Sequence, residues 1–190
     1  DTVYGAEGDD SLSGDSGNDV MSGDAGNDIL TGGDGSDTYQ FGRTDGQDTI
    51  IETGGASGDS DNLNLTDGIT KTDPVLVKQD NDLYVFIDAN NYTKITAQFQ
   101  AANYGVERLG VGGAGNDIYV NNTGDVIIEI TPVVVYSYIT RQDIENIVNI
   151  MSEINNDPGM DVIQKYNAMM ADQQYQSTLA ASWKDEYVPI

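Results

Sequence analysis

The chain has 190 residues, with 32 acidic against 8 basic, a formal net charge of −24, no cysteine and no histidine. So few cations cannot neutralise a phosphate backbone, which excludes nucleic acid as a partner. Without sulfur or imidazole, soft and borderline metals lack their preferred ligands and a serine triad lacks its general base; no apolar run reaches membrane-spanning length, and no N-terminal signal peptide is visible.

The first forty residues are periodic. Four consecutive nonapeptides, GAEGDDSLS (Gly5 to Ser13), GDSGNDVMS (Gly14 to Ser22), GDAGNDILT (Gly23 to Thr31) and GGDGSDTYQ (Gly32 to Gln40), share the template G-x-x-G-x-D-x-U-x, with U large and apolar. Glycines at places one and four, Gly5, Gly8, Gly14, Gly17, Gly23, Gly26, Gly32 and Gly35, allow a tight six-residue loop whose carbonyls approach an ion. Place six supplies one carboxylate per loop: Asp10, Asp19, Asp28 and Asp37. Place eight, Leu12, Met21, Leu30 and Tyr39, sits mid-way in a short strand and points to one face.

Stacking such turns buries the apolar edge and aligns the carboxylates, which repel one another unless a cation lies between neighbouring loops. Carboxylate and carbonyl oxygens in flexible loops suit a hard ion with six to eight ligands, and Ca2+ tolerates irregular geometry better than Mg2+. Several calcium ions are therefore expected. Asp1 falls in the same phase, with Val3 at the apolar place, so the chain is expected to begin inside a repeat as a fragment of a longer array. Asp1 joins the candidate ligands, and so does Asp48, because GQDTI (Gly46 to Ile50) keeps the loop-then-strand order. Residues 1–67 hold sixteen acids against Arg43 alone, a net −15. With few large apolar residues to offset an ordering cost of roughly 1–2 kcal/mol per residue, this segment is expected to be disordered without calcium and compact with it.

These residues resemble the RTX, or haemolysin-type calcium-binding, family. GSDTYQFGRTDGQDTIIETGG (Gly35 to Gly55) looks like the end of an RTX block. DNLNL (Asp61 to Leu65), VLVKQDNDLYVFI (Val75 to Ile87) and LAASW (Leu179 to Trp183) resemble the last block and tail of adenylate cyclase toxin-haemolysins and similar large secreted proteins. The resemblance implies a parallel β-roll in which strands alternate between two sheets, Leu12 stacks with Leu30 and Met21 with Tyr39. It also implies calcium between loops two repeats apart, pairing Asp10 with Asp28 and Asp19 with Asp37. It further implies export by type I secretion machinery that reads an uncleaved C-terminal signal.

Residues 75 to about 135 alternate apolar and polar places, as at Leu83, Val85 and Ile87, and read as antiparallel strands that cap the roll's open edge. Inside this zone GGAGNDIYV (Gly112 to Val120) is an isolated fifth nonapeptide. It is either a further calcium loop using Asp117 with Asp125, or a single decayed repeat kept as a β-turn. Thr140 and Asp143 then form a capping-box-like helix start, followed by Ile144, Ile147, Val148, Met151 and Ile154 at helical spacing. Asp157, Pro158 and Gly159 break that helix, a turn explaining the Asp-Pro pair more simply than self-cleavage; Val162, Ile163, Tyr166, Met169 and Met170 form a second stripe. GDSG at Gly14 to Gly17 is repeat sequence, not a protease nucleophile site.

The expected fold is mainly β: a calcium-binding β-roll over residues 1–67, a β-rich capping region over 68–137 and a helical C-terminal tail with a secretion signal over 138–190. The expected function is that of a calcium-dependent folding and secretion module of a large secreted bacterial protein, not an enzyme. The alternative is an adhesion module whose calcium-stiffened surface contacts a host-cell receptor or glycan.

Overall fold

A nine-residue unit with one large apolar side chain can bury little by itself, so each strand must stack on equivalents from other units. The computed structural model describes residues 1–52, 59–100, 105–111 and 133–189, and of 133–136 and 185–189 the backbone alone. The isolated repeat at 112–120, with Asp117, lies outside the described residues, as does Asp125. The strands are β1 (Thr2–Tyr4), β2 (Ser11–Ser16), β3 (Val20–Ser22), β4 (Ile29–Asp34), β5 (Thr38–Phe41), β6 (Gln47–Ile51), β7 (Asn62–Leu65), β8 (Val75–Gln79), β9 (Asp82–Phe86), β10 (Tyr92–Ile95), β11 (Arg108–Val111) and β12 (Val133–Thr140). Four helices follow, α1 (Arg141–Ile150), α2 (Ser152–Asn155), α3 (Val162–Met170) and α4 (Gln173–Ser182), and then β13 (Lys184–Pro189).

Successive strands of the repeat region go alternately to two sheets, ordered β1-β3-β5-β7-β11-β12-β13 and β2-β4-β6-β10-β9-β8. Within the repeats the pairing is parallel, with partners eighteen residues, or two nonapeptides, apart. Leu12 pairs with Leu30 and Met21 with Tyr39, the stacking that the family resemblance implies. The apolar columns then run on: Val3, Met21, Tyr39, Leu63 and Leu109 in one sheet, and Leu12, Leu30, Ile50 and Ile95 in the other. Both columns enter one core, fully buried from Met21 and Leu30 onward, while Val3 and Leu12 at the first turn are only partly buried. The arrangement is consistent with a β-roll.

The middle strands depart in part from the antiparallel cap expected from sequence. β10 lies parallel to β6, and β11 parallel to β7, so both extend the roll; the expected antiparallel pairing is present on their other sides, in β8–β9 and β9–β10 on one sheet and β11–β12 and β12–β13 on the other. Period-two alternation identifies a strand but not its direction, which the connections set. β9 runs against the roll, and the short turn after it returns β10 along the roll direction.

The helices cover the outer face of the six-stranded sheet near β8, where Val75, Leu76 and Val77 are consecutively buried. Thr140 caps α1 through the expected box with Asp143, and Ile144, Ile147 and Val148 face inward. In α3 the stripe is narrower than the spacing predicts: Met169 is buried, Met170 is exposed, and Lys165 is buried with its Nζ on the Asn155 carbonyl at 2.7 Å. LAASW lies in and just after α4, with Leu179 buried, and the segment after it forms β13 rather than helix.

β8 is a sheet edge, and its outward N–H groups would be left without partners under a helical cover. Tyr175 and Asn155 fill that need: the Tyr175 hydroxyl accepts from Leu76 N–H, and Asn155 Oδ1 accepts from Lys78 N–H at 2.8 Å. Asn155 also donates to the Val148 carbonyl at 2.7 Å, which ties α1 and α2 to the same edge. Replacing Tyr175 by Phe leaves a buried donor unsatisfied and is expected to destabilise the calcium-loaded chain by about 1–3 kcal/mol, measured by denaturant unfolding.

Candidate metal centre

The place-six aspartates form two ladders, one at the entrance to each sheet. Asp28 Oδ1 accepts the backbone N–H of Asp10 at 2.7 Å, and Asp48 Oδ1 that of Asp28 at 3.0 Å. In the other ladder Asp37 Oδ1 accepts from Asp19 N–H at 2.9 Å, Asp61 Oδ1 from Asp37 N–H at 2.8 Å, and Glu107 Oε2 from Asp61 N–H at 2.7 Å. From Asp28 and Asp37 onward each ladder carboxylate thus spends one oxygen on the loop stacked one turn before it. The second oxygen, Oδ2 of Asp10, Asp19, Asp28 and Asp37, is buried without a hydrogen-bond partner. A buried anionic oxygen left so is costly, and four of them in register call for cations.

The two template glycines serve different purposes. Place one needs space: a methyl on Gly14 would lie 2.6 Å from Asp19 Oδ2 and 2.8 Å from the Gly32 carbonyl oxygen, and one on Gly5 would lie 2.6 Å from the Gly23 carbonyl and 3.0 Å from Asp10 Oδ2. The same atoms, a carbonyl oxygen from one loop and an orphaned carboxylate oxygen from the other, are the donors a cation between the loops would use. Gly23 and Gly32 likewise lie against Oδ2 of Asp28 and Asp37. Place four needs conformation as well, since Gly8, Gly17 and Gly35 have φ of 118°, 114° and 129°, in the left-handed half of the map. At Gly26 and Gly35 a methyl would also strike the carbonyls of Gly8 and Gly17.

The donor set is oxygen alone, irregular in geometry, and fits calcium. Each ion would be held by place-six carboxylates and loop carbonyls from two turns. Without it the site is electrostatically poor. Burial, followed by neighbouring acids, pushes up the carboxyls of Asp48, Asp61 and Glu52, to about 7, about 6 and about 8, while hydrogen bonds from Asp28 N–H, Asp37 N–H and the Tyr39 hydroxyl oppose the rise. Asp28 and Asp37 are raised for the same first reason.

Asp10, Asp19, Asp28, Asp37 and Asp48 are thus brought together in the ladders. The Asp1 side chain is exposed, and it is its N-terminal ammonium that reaches Asp19 Oδ1, the place taken one turn later by Asp19 N–H on Asp37. The template reading missed Asp61 and Glu107 as ladder members, since long insertions break the phase before them. It also missed place five, where Asp9, Asn18 and Asn27 accept the N–H of Asn27, Ser36 and Gln47 at 2.9, 3.0 and 3.2 Å, and the Ser36 hydroxyl that of Ser60 at 2.9 Å. The recurrence of Asn at 18 and 27 is the signal that pointed there.

Residues 4–39 match the family model of the RTX calcium-binding nonapeptide repeat, in four copies. No curated protein matches the chain. The match supports an RTX-type chain that carries calcium-binding repeats, and strand β6 and all that follows lie beyond it.

Gly14→Ala closes the cradle between two loops and is expected to raise the calcium concentration needed at that position by about tenfold, about 1.4 kcal/mol, in a calcium titration. The metal-free chain has a pH dependence of definite sign. Asp48, Asp61 and Glu52 have folded-state values above their unfolded ones, so their contribution is full below about pH 4 and is lost as pH rises through about 6 to 8. In chelator, circular dichroism is expected to report more β structure at pH 5 than at pH 8; equal or lower content at pH 5 refutes the assignment.

Proposed function

We propose that this chain is the calcium-dependent folding and secretion module of a large secreted bacterial RTX protein, itself without catalytic activity. The observation that carries the reading is the set of buried, unpartnered Oδ2 atoms on four in-phase aspartates. Where free calcium is low, as inside a cell, stacking these carboxylates is unfavourable and the −24 chain stays extended, a form suited to threading a narrow type I export channel. Extracellular calcium modules bind at roughly 10⁻⁴–10⁻³ M, so the ions would bind after exit, fold the roll and oppose its return.

One further observation supports this reading. The helices and β13 pack onto the sheets that the repeats begin, so the C-terminal region, first to leave in this scheme, meets the repeats as they order. An adhesion role needs an exposed aromatic or polar cluster outside the calcium loops; the ring cluster found among the described residues, Tyr84, Phe86, Tyr92 and Tyr166, packs partly or fully buried between the six-stranded sheet and α3.

Calcium titration of the chain, followed by circular dichroism with magnesium as control, tests the reading. A cooperative coil-to-β transition specific to calcium is expected. In the Asp19→Ala, Asp28→Ala double variant its midpoint should rise by about tenfold or more, since one carboxylate is lost from each ladder. Identical spectra in chelator and in millimolar calcium would overturn the proposal.

A further inference from the structure

Where the last matched repeat joins the later strands, three acidic side chains, Asp37 of that repeat and two from beyond it, converge in the interior. Asp37, Glu52 and Asp61 are 0%, 2% and 7% exposed, and one carboxylate oxygen from each lies within 4.8 Å of the others. Two of their oxygens are already committed in the ladder: Asp37 Oδ1 to Asp19 N–H and Asp61 Oδ1 to Asp37 N–H. Glu52 Oε1 accepts from the Tyr39 hydroxyl. Asp37 Oδ2, fully buried, has no hydrogen-bond partner. It is aimed into the group, because a single point, the position a methyl on Gly32 would take, lies in close contact with Asp37 Oδ2, Glu52 Oε1 and the Tyr39 oxygen together.

Glu52 has no counterpart in the nonapeptide template. It follows β6 of the six-stranded sheet, whereas Asp37 and Asp61 precede β5 and β7 of the seven-stranded sheet. None of the three makes an ion pair with a basic side chain among the described residues. An uncompensated trio of buried carboxylates is unfavourable, and a hard divalent cation matches an all-oxygen set of this charge. Interior positions of the ladders offer two place-six carboxylates; this one offers three, and calcium affinity rises with the number of charged ligands.

We propose that Asp37, Glu52 and Asp61 hold a calcium ion at the junction between the repeats and the strands that follow, bound more tightly than those of the repeat loops. Resting on the calcium-module reading above, the proposal adds an off-template ligand, Glu52, and a tie between the two sheets. Through Asp61 N–H and Glu107 the tie extends to β11. This ion would set the register of the first strands beyond the template.

The test uses the full 190-residue chain, isothermal titration with calcium, and terbium luminescence sensitised by tyrosine, since the Tyr39 hydroxyl touches Glu52. Glu52→Gln is expected to remove the tightest calcium step, lowering the ion count by one or raising that Kd at least about tenfold, and to abolish terbium emission at the first equivalent. Tyr39→Phe is expected to keep the calcium count and lose most of that emission. An unchanged count and unchanged affinities in Glu52→Gln, with calcium-induced folding intact, overturn this site alone; absence of calcium-induced folding in the unaltered chain overturns the parent reading as well. If Glu52→Gln does not fold, Glu52→Asp decides: it keeps the charge and shortens the reach, so a weaker first step supports the site and an unchanged one overturns it.

Discussion

In the stacked loops of the roll a carboxylate, as at Asp28 and Asp37, divides its two oxygens, giving one to the backbone N–H of an earlier turn and turning the other into the gap between loops. The first contact sets the register of neighbouring turns, and the second creates a buried charge that the protein does not itself neutralise. Geometry and instability thus arise from the same group. A conventional solenoid gains stability turn by turn from its apolar core. Here each early strand adds roughly one large apolar side chain, while each loop adds an anion, so the balance between stacked and extended chain rests on a cation.

The loop backbone is shaped to admit that cation. Place-one glycines keep Cβ atoms out of the space shared by carboxylate and carbonyl oxygens, whereas at place four Gly8, Gly17 and Gly35 take a left-handed turn, and Gly26 and Gly35 let stacked loops touch backbone to backbone. Between them, Ala6, Asp15 and Asp24 at place two also have positive φ, a conformation uncommon for residues with a Cβ. Ser13 and Ser22 hydroxyls donate to Asp15 and Asp24 at 2.8 and 2.7 Å, which holds two of these turns in place.

After the repeats the same register survives longer connections. Partners stand eighteen residues apart in the repeats, then twenty between β4 and β6, twenty-four between β5 and β7, and forty-six between β7 and β11. Loop-closure entropy grows only slowly with length, so such insertions cost little once the carboxylate ladder and apolar column are continued by Asp61 and Glu107, Leu63 and Leu109. The far edge of the six-stranded sheet is closed differently, by helical side chains. Tyr175 and Asn155 act there as a strand would, with the hydrogen-bonding groups in the right places but no backbone ladder.

Sequence alone determined the repeat phase, the apolar columns of the first four units, the calcium-type donor set and the capped start of α1. These are local patterns whose spacing is fixed by the chain itself: nine residues per unit, two units per stacked pair, three residues from cap to box. Tertiary structure decided what depends on distant partners. The parallel course of β10 and β11, the inward turn of Lys165 in place of Met170, and the strand formed by β13 follow from connections and neighbours that no short window contains. Only the fold brings Glu52, thirteen residues from Tyr39 and outside the template, to the same point as Asp37 and Asp61, because convergence of charge in a buried space depends on how the turns stack.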